Sequence, residues 1–429
     1  MRWLNDYDAR PKASRLKELI KSPLFYNAWY LLGVNFFPAL AGFLFWTIAS
    51  RLYPAAEIGI ASVIISTVTL VSWIAGLGTN MGLIRFIPAS ESPGRLINSV
   101  LNLNILTSVI CAAIFLLGMP LWAKSLQADL GSVFSIFVFI AFVIAATIGT
   151  TIRDSSVAYQ RSNHAFIYTL TSNLLRIVLI FPVVRLGYLG LVGSATAAYW
   201  LAYFMSMFLL MPKVLPGFHW SPQLHWSDLK SLLPFSGGNY LATLIMQMTQ
   251  TIIPLLTLNR LGADANAYSY ITLMLGTLAT GPGIALAMSA FAEGANDLHQ
   301  WRRILSKAIP VAIVVTLFCS AILAIGAAYF LSWFGTTYAD QGARLLRWMA
   351  LAAPAVVVNQ MFFTYLKLHK SMGLLIGLGL AAMLITLLTA YALMPVYGIL
   401  ANGIGVLAGN AVVSIVGITY WIRLNKLTG

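Results

Sequence analysis

The chain has 429 residues, of which 59% are hydrophobic and only 9% charged, with a net charge of +14. A water-soluble domain of this length needs far more charge to solvate its surface, so that class is excluded. The 26 Lys and Arg residues lie in short clusters between apolar runs. Without a basic domain or aromatic-basic interleaving, this argues for the positive-inside bias of a membrane protein and against a nucleic-acid partner.

Residues 1–23 precede the first apolar run and are too charged for a cleaved signal peptide. Lys12, Arg15, Lys17 and Lys21 share a short helical pattern with Leu16, Leu19 and Ile20. The segment is expected to lie at the cytoplasmic interface, or to be a solvated tail that only sets orientation. Apolar runs of spanning length then recur to the end of the chain. They fall at 24–50, 58–83, 96–118, 131–152, 165–187, 190–212, 235–258, 267–291, 304–330, 346–366, 372–394 and 399–422. The expectation is an all-α integral membrane protein of about twelve transmembrane helices.

With residue 1 cytoplasmic, nineteen basic residues fall on that side, six fall outside, and Arg176 falls within a span. This asymmetry fits an even helix count with both termini cytoplasmic, and the expected location is the cell membrane, inner or cytoplasmic. Residues 213–234, with three prolines and two tryptophans, form the longest connection and sit halfway along the chain. They are expected to be a cytoplasmic linker between six-helix bundles at 24–212 and 235–429. A weak repeat supports the division. Arg51-Leu52 closes the first helix of one half before Glu57-Ile58-Gly59, and Arg260-Leu261 closes the first helix of the other before Ala267-Tyr268. Such a parallel repeat relates the halves about an axis along the membrane normal.

Prolines 38, 182, 254, 310 and 354 and the Gly281-Pro282-Gly283 triplet lie inside spans. They bend helices around a hydrated cavity or are packing kinks without a role. The glycine pairs 78/82, 373/377 and 405/409 have the spacing of close helix contacts.

Catalytic chemistry finds no support. There is no GxxxxGK[ST] loop, the five histidines fall in loops, and Cys111 and Cys319 each sit in an apolar run. No metal site, cofactor or disulfide framework follows, and no long extramembrane segment could house an enzyme domain. All twelve Asp and Glu residues lie in loops, in tails or within a turn of a helix end. An exporter of cationic drugs usually needs an intramembrane carboxylate.

Arg176 is the exception among the charges. It stands about eleven residues from each end of its apolar run, roughly 16 Å from either interface. A guanidinium cannot shed its charge, and its cost at mid-bilayer is about 2.5–3.5 kcal/mol. Either it faces a polar cavity and binds an anion such as phosphate, with Asn173 on the same face, or neighbouring carbonyls and amides hold it structurally. Amides at Asn35, Gln247, Gln250 and Gln360 could bind sugar hydroxyls, since each both donates and accepts. They could equally join helices, as could Asn98, Asn102, Asn239 and Asn359. Arg85 closes the second span, where it could meet a phosphate or anchor the helix.

Residues 47–90 (TIASRLYPAAEIGIASVIISTVTLVSWIAGLGTNMGLIRFIPAS) and 256–270 (LTLNRLGADANAYSY) resemble equivalent hairpins of one family. It is the polysaccharide transporter, or oligosaccharide flippase, branch of the multidrug/oligosaccharidyl-lipid/polysaccharide exporter superfamily. The usual glycine after the first Arg-Leu is absent, since Tyr53-Pro54 stand there, and Ala267 replaces another. The resemblance implies a V-shaped pair of bundles with alternating access. It further implies flipping of a polyprenyl-pyrophosphate-linked oligosaccharide to the outer leaflet, with Arg176 as a cavity arginine. The implied partners are that lipid-linked substrate and membrane lipids, with room for other glycan-assembly membrane proteins. The competing readings are a same-fold exporter of a drug or small metabolite, and a membrane-embedded glycan polymerase or ligase.

Overall fold

The computed structural model describes residues 23–296 and 301–427, and residues 1–22, with the expected N-terminal interfacial segment, lie outside that range. Twelve long helices carry the described chain. The N-terminal six are α1 (Pro23–Leu52), α2 (Ala55–Ala75), α3 (Pro93–Trp122), α4 (Val133–Ala158), α5 (Ser162–Leu179) and α6 (Tyr188–Val214). The C-terminal six are α7 (Trp226–Leu261), α8 (Ala263–Asn296), α9 (Trp301–Ile325), α10 (Thr336–Leu368), α11 (Met372–Tyr397) and α12 (Leu400–Leu427). Among the described residues there are no strands, and ten helices are long and apolar enough to cross a membrane. The other two are α1, in which Phe36–Leu52 is a shorter apolar stretch among the described residues, and α5, which carries Asn173 and Arg176. In lipid every backbone amide must be paired within its own segment, so apolar runs of this length fold as helices.

Helices α1–α6 pack among themselves and so do α7–α12, and the two bundles meet along α2 against α7 and α8. Side chains facing away from the bundles stay apolar, as bilayer contact demands. On α9 and α11 only 22% of the apolar stretch is buried, the least among the ten spanning-length helices. One end of the molecule, the linker face, carries the turns at 87–92, 159–161, 215–225 and 369–371. The opposite, far face carries 53–54, 123–132, 180–187, 262, 326–335 and 398–399.

Several boundaries differ from expectation, for local reasons. The second span does not run unbroken to residue 83. It stops at Ala75, turns through Leu77 and Gly78, both at positive φ, and restarts as Thr79–Phe86. Gly78 therefore serves a left-handed turn packed against Tyr240 rather than a helix–helix contact. The fifth span ends at Leu179, because Pro182 lacks the N–H that would continue the helix. The remaining span prolines and the Gly281-Pro282-Gly283 triplet sit within continuous helix.

Helix α7 starts at Trp226, inside the expected linker. Its first turns bury Leu229 and Leu232 against Leu83, Ile87 and Leu96 of the N-terminal bundle. Of the small-residue pairs, Gly405 and Gly409 pack tightly on Thr386, whereas nothing approaches Gly373 or Gly377.

Candidate functional site

The bundles enclose two cavities that adjoin at Thr69 of α2. The first, of about 220 Å³, lies on the N-terminal side and is lined by Ser72, Thr79, Asn104, Thr150, Arg153 and Tyr199, with Tyr240 from α7. The second, of about 260 Å³, lies in the seam between Ser66 and Thr69 of α2, Gln247, Gln250 and Thr251 of α7, and Tyr270 and Thr277 of α8. Its polar lining is neutral. The hydroxyls of Ser66, Thr69 and Ser72 recur every three residues along α2, and Gln247, Gln250 and Thr251 fall at three- and four-residue spacings along α7, which turns one stripe of each apolar helix toward the cavities.

Arg176 lines neither cavity, but one tyrosine from the lining of each is its electrostatic neighbour. It occupies the last turn of α5, not the middle of a longer helix, so the expected depth is corrected for its backbone. Helical side chains point back toward the N-terminus, and this one reaches down to Gly42 and Phe45 of α1. Those residues lie seven to ten positions inside the far end of α1 at Leu52, roughly 10–15 Å, which keeps the charge at membrane depth. The guanidinium carbon stands 5.1 Å from the centroid of the Phe45 ring, a cation–π contact. Its electrostatic neighbours are the phenols of Tyr199 and Tyr270, one from each cavity. Among the described residues it has no carboxylate or hydrogen-bond partner, and its Nε is buried without an acceptor. A structural arginine held by carbonyls and amides would show those bonds. The nearby negative end of the α5 dipole favours the cation without saturating its donors.

The other expected residues separate into groups. Gln247 and Gln250 do line the seam cavity. Asn173 is buried and donates to Thr169 O of its own helix at 2.7 Å, turned away from both cavities. Gln360 is half-buried on α10 and lines neither cavity. Arg85 is exposed, with its guanidinium 5.9 Å from the Phe86 ring at the linker face. Asn35 lies on α1 with its side chain outside the described ones, and the same holds for Asn239 on α7. Asn98 and Asn102 clamp the linker, donating to His219 O at 2.9 Å and to Ser221 O and Gln223 O at 2.7 and 2.9 Å. Asn359 joins helices by donating to Asn410 Oδ1 and accepting from Ser414 Oγ, both at 2.9 Å.

Sequence reasoning missed Arg153. Counted as a charge at the end of a span, it in fact lines the N-terminal cavity, paired with its neighbour Asp154. Nε meets Oδ1 at 2.7 Å and Nη2 meets Oδ2 at 3.2 Å, and the Asp154 side chain is 8% exposed. The adjacent Arg-Asp dipeptide one turn inside the end of α4 was the available signal. Only packing turns it inward.

At the far face the bundles are joined by hydrogen bonds. Arg51 Nε and Nη2 donate to Trp333 O at 3.1 and 2.9 Å, and Nη2 also to Ser332 O at 3.0 Å. Asn259 Nδ2 donates to Trp122 O at 2.8 Å and its Oδ1 accepts from Ser125 N at 3.3 Å. Asn266 Nδ2 donates to Gly59 O at 2.9 Å and Ser62 Oγ at 3.0 Å, both within the protein interior. Any Cβ at Gly59 would fall 1.9 Å from Ala263 O, so only glycine admits this approach of α2 and α8. Deeper in the seam, Tyr240 Oη donates to Trp73 O at 2.6 Å.

Two helical bundles that meet along α2, α7 and α8, with polar cavities beside that seam, define the class as a polytopic helical membrane protein. Residues 24–279 match the model of the family described as "Polysaccharide biosynthesis protein", and the chain belongs to that family. Solved structures of multidrug-resistance MATE-family transporters of the MOP superfamily share its fold. An inward-facing one is 18% identical, with a TM-score of 0.66 over 91% of this chain and 95% of that one. An outward-facing one is 15% identical, with a TM-score of 0.62 over 96% and 98%. A MOP-superfamily transporter from Pyrococcus furiosus, titled for the reverse polarity of its binding pocket, is 15% identical with a TM-score of 0.60 over 95% and 96%. No curated protein matches the chain.

Proposed function

We propose that the protein flips a polyprenyl-pyrophosphate-linked oligosaccharide from the cytoplasmic to the outer leaflet of the inner membrane, by alternating access, for cell-surface polysaccharide synthesis. The observation that carries this reading is Arg176, a permanent cation at membrane depth whose Nε is buried without an acceptor, with no carboxylate partner among the described residues, beside a tyrosine from each of two polar cavities. Such a group binds a diphosphate through charge-assisted, bidentate hydrogen bonds. The amides and hydroxyls of the seam cavity suit glycan hydroxyls. The excess of basic residues on the linker face supports a cytoplasmic linker and cytoplasmic termini. The bonded far face then corresponds to the state closed toward the outside.

A second reading, a same-fold exporter of a small molecule, draws on the modest volumes of the two cavities. For a cationic drug it needs a free intramembrane carboxylate, and Asp154 is already engaged by Arg153. A polymerase or ligase would need an extended acceptor-binding segment, whereas the far-face connections are short.

The test is reconstitution in liposomes with a fluorescent polyprenyl-pyrophosphoryl oligosaccharide, read as the labelled fraction reached by an impermeant quencher. Leaflet exchange is expected to exceed that of empty vesicles, and Arg176→Ala to slow it about tenfold to a hundredfold, the loss of one or two charged hydrogen bonds. Exchange that survives the substitution keeps the flippase and removes Arg176 from its site. No exchange with several lipid-linked glycans moves the reading to a soluble substrate.

A further inference from the structure

Between the linker-face ends of α8 and α9 lies a third cavity, of about 370 Å³, remote from the seam. Its walls divide by chemistry. Leu286 of α8 with Ile304 and Val311 of α9 form an apolar side, while Ser289, Arg303 and Lys307 form a polar rim. Arg303 and Lys307 are four residues apart on one face of α9, so both heads point to the same mouth. They bracket Ser306, the first residue of the apolar span that runs to Ile325, which sets them at the level of the lipid headgroups. Among the described residues no acidic side chain lines the cavity, and neither cation has a carboxylate partner. Below the rim, α9 continues outward-facing and apolar, with Val311 51%, Val314 65% and Phe318 67% exposed.

We propose that this cavity is a binding site for an anionic glycerophospholipid. The phosphodiester sits between Arg303, Lys307 and Ser289, and an acyl chain lies along Val311, Val314 and Phe318. A solvated basic pair that merely orients the helix needs neither the cavity nor the apolar wall leading from it. A phosphate ligand alone would leave that wall unused, whereas a lipid fills both parts at once. Basic pockets between transmembrane helices at one interface hold acidic headgroups on the same physical grounds. The site is separate from the seam and does not depend on what the protein transports.

The experiment uses the whole protein, delipidated in neutral detergent. Thermal unfolding is followed with phosphatidylglycerol, phosphatidylcholine or glycerol 3-phosphate added at equal concentration, and retained lipid is weighed by native mass spectrometry. Phosphatidylglycerol is expected to raise the midpoint and remain bound, while the zwitterionic lipid and the soluble phosphate do neither. Arg303→Gln with Lys307→Gln should weaken phosphatidylglycerol about thirty-fold. Arg303→Lys with Lys307→Arg should retain it, and so should the far-face control Lys124→Gln with Arg344→Gln. Each variant is compared with itself in the absence of lipid, so a change in basal stability does not enter the result. Equal stabilisation by phosphatidylcholine overturns the proposal, as does a shift with glycerol 3-phosphate alone. Equal loss in the far-face control would mean a general charge effect and would overturn it too.

Discussion

The two halves open with the same device and use it in opposite ways. Arg51 and Arg260 each close the first helix of a half, yet Arg51 crosses the seam to the carbonyls of Ser332 and Trp333. Arg260 stays home, its guanidinium carbon 3.7 Å from the Tyr391 ring of its own bundle. Six residues on, the roles exchange. Glu57 turns inward toward Gly187 of its own half, and Asn266 crosses to Gly59 and Ser62. A repeated sequence thus produces repeated helices but not repeated contacts, because each position bonds to whatever the other bundle presents. The cavities divide the same way. Both arginines near them, Arg153 and Arg176, come from the N-terminal half, and the glutamines facing them come from the C-terminal half.

If the halves differ in how they carry polar groups, substitutions should cost differently in each. The largest loss is expected for Asp154→Asn, which removes the buried partner of Arg153 and leaves its charge facing a cavity. Breaking such a pair costs about 3 kcal/mol, read as a lowered unfolding midpoint in detergent. Replacing both partners, with Arg153→Gln as well, should restore most of it, since no uncompensated charge remains. A double variant as unstable as the single one would mean that packing, not charge, is at stake there.

The C-terminal half relies on neutral networks. Asn402, fully buried, donates to Thr257 Oγ1 at 3.0 Å and Ser269 Oγ at 2.8 Å. Asn402→Ala should cost about 1–2 kcal/mol by the same measurement, because hydrogen bonds between helices in lipid are individually weak. A cost equal to that of Asp154→Asn would erase the contrast between the halves.

Run length and the bias of basic residues made the helix count legible in the sequence, and the lone charge at Arg176 stood out because its cost in lipid is large. Gln247 and Gln250 were legible as a stripe, since spacing of three places both on one face. What escaped depended on neighbours. Nothing in the sequence around Asn98 or Asn102 says that a linker more than a hundred residues away supplies their acceptors. Arg153 counts in the sequence only as one of the basic residues on the cytoplasmic side, because distance from a helix end does not tell which way a side chain faces. The break after Ala75 turns on Leu77 and Gly78 at positive φ, packed beside Tyr240 of the other bundle, a contact invisible in local propensity.

The far-face bonds give a comparison in function rather than stability. Accessibility can be read from Thr69→Cys, which lines both cavities, with Cys111 and Cys319 replaced by serine and an impermeant thiol reagent applied from the far face. Asn266→Ala removes two buried hydrogen bonds of the closed far face, worth about 1 kcal/mol. The population open to that side should rise about fivefold, and labelling with it. Unchanged labelling would mean that the close packing of Gly59 on Ala263 holds this face shut without the amide.

The arginines give the smallest effect and the sharpest contrast. Arg51 is exposed, and water replaces much of what it loses when the bundles part, so Arg51→Ala should weaken closure by only about 0.5 kcal/mol. Labelling at Thr69→Cys should then rise about twofold. Arg260→Ala, at the matching position of the other half, loses a contact internal to one bundle that is present whichever way the bundles tilt. It should leave labelling unchanged. Equal increases for both would mean that position in the repeat governs the gate, whereas an increase for Arg51 alone means that the governing feature is which side of the seam holds the acceptor.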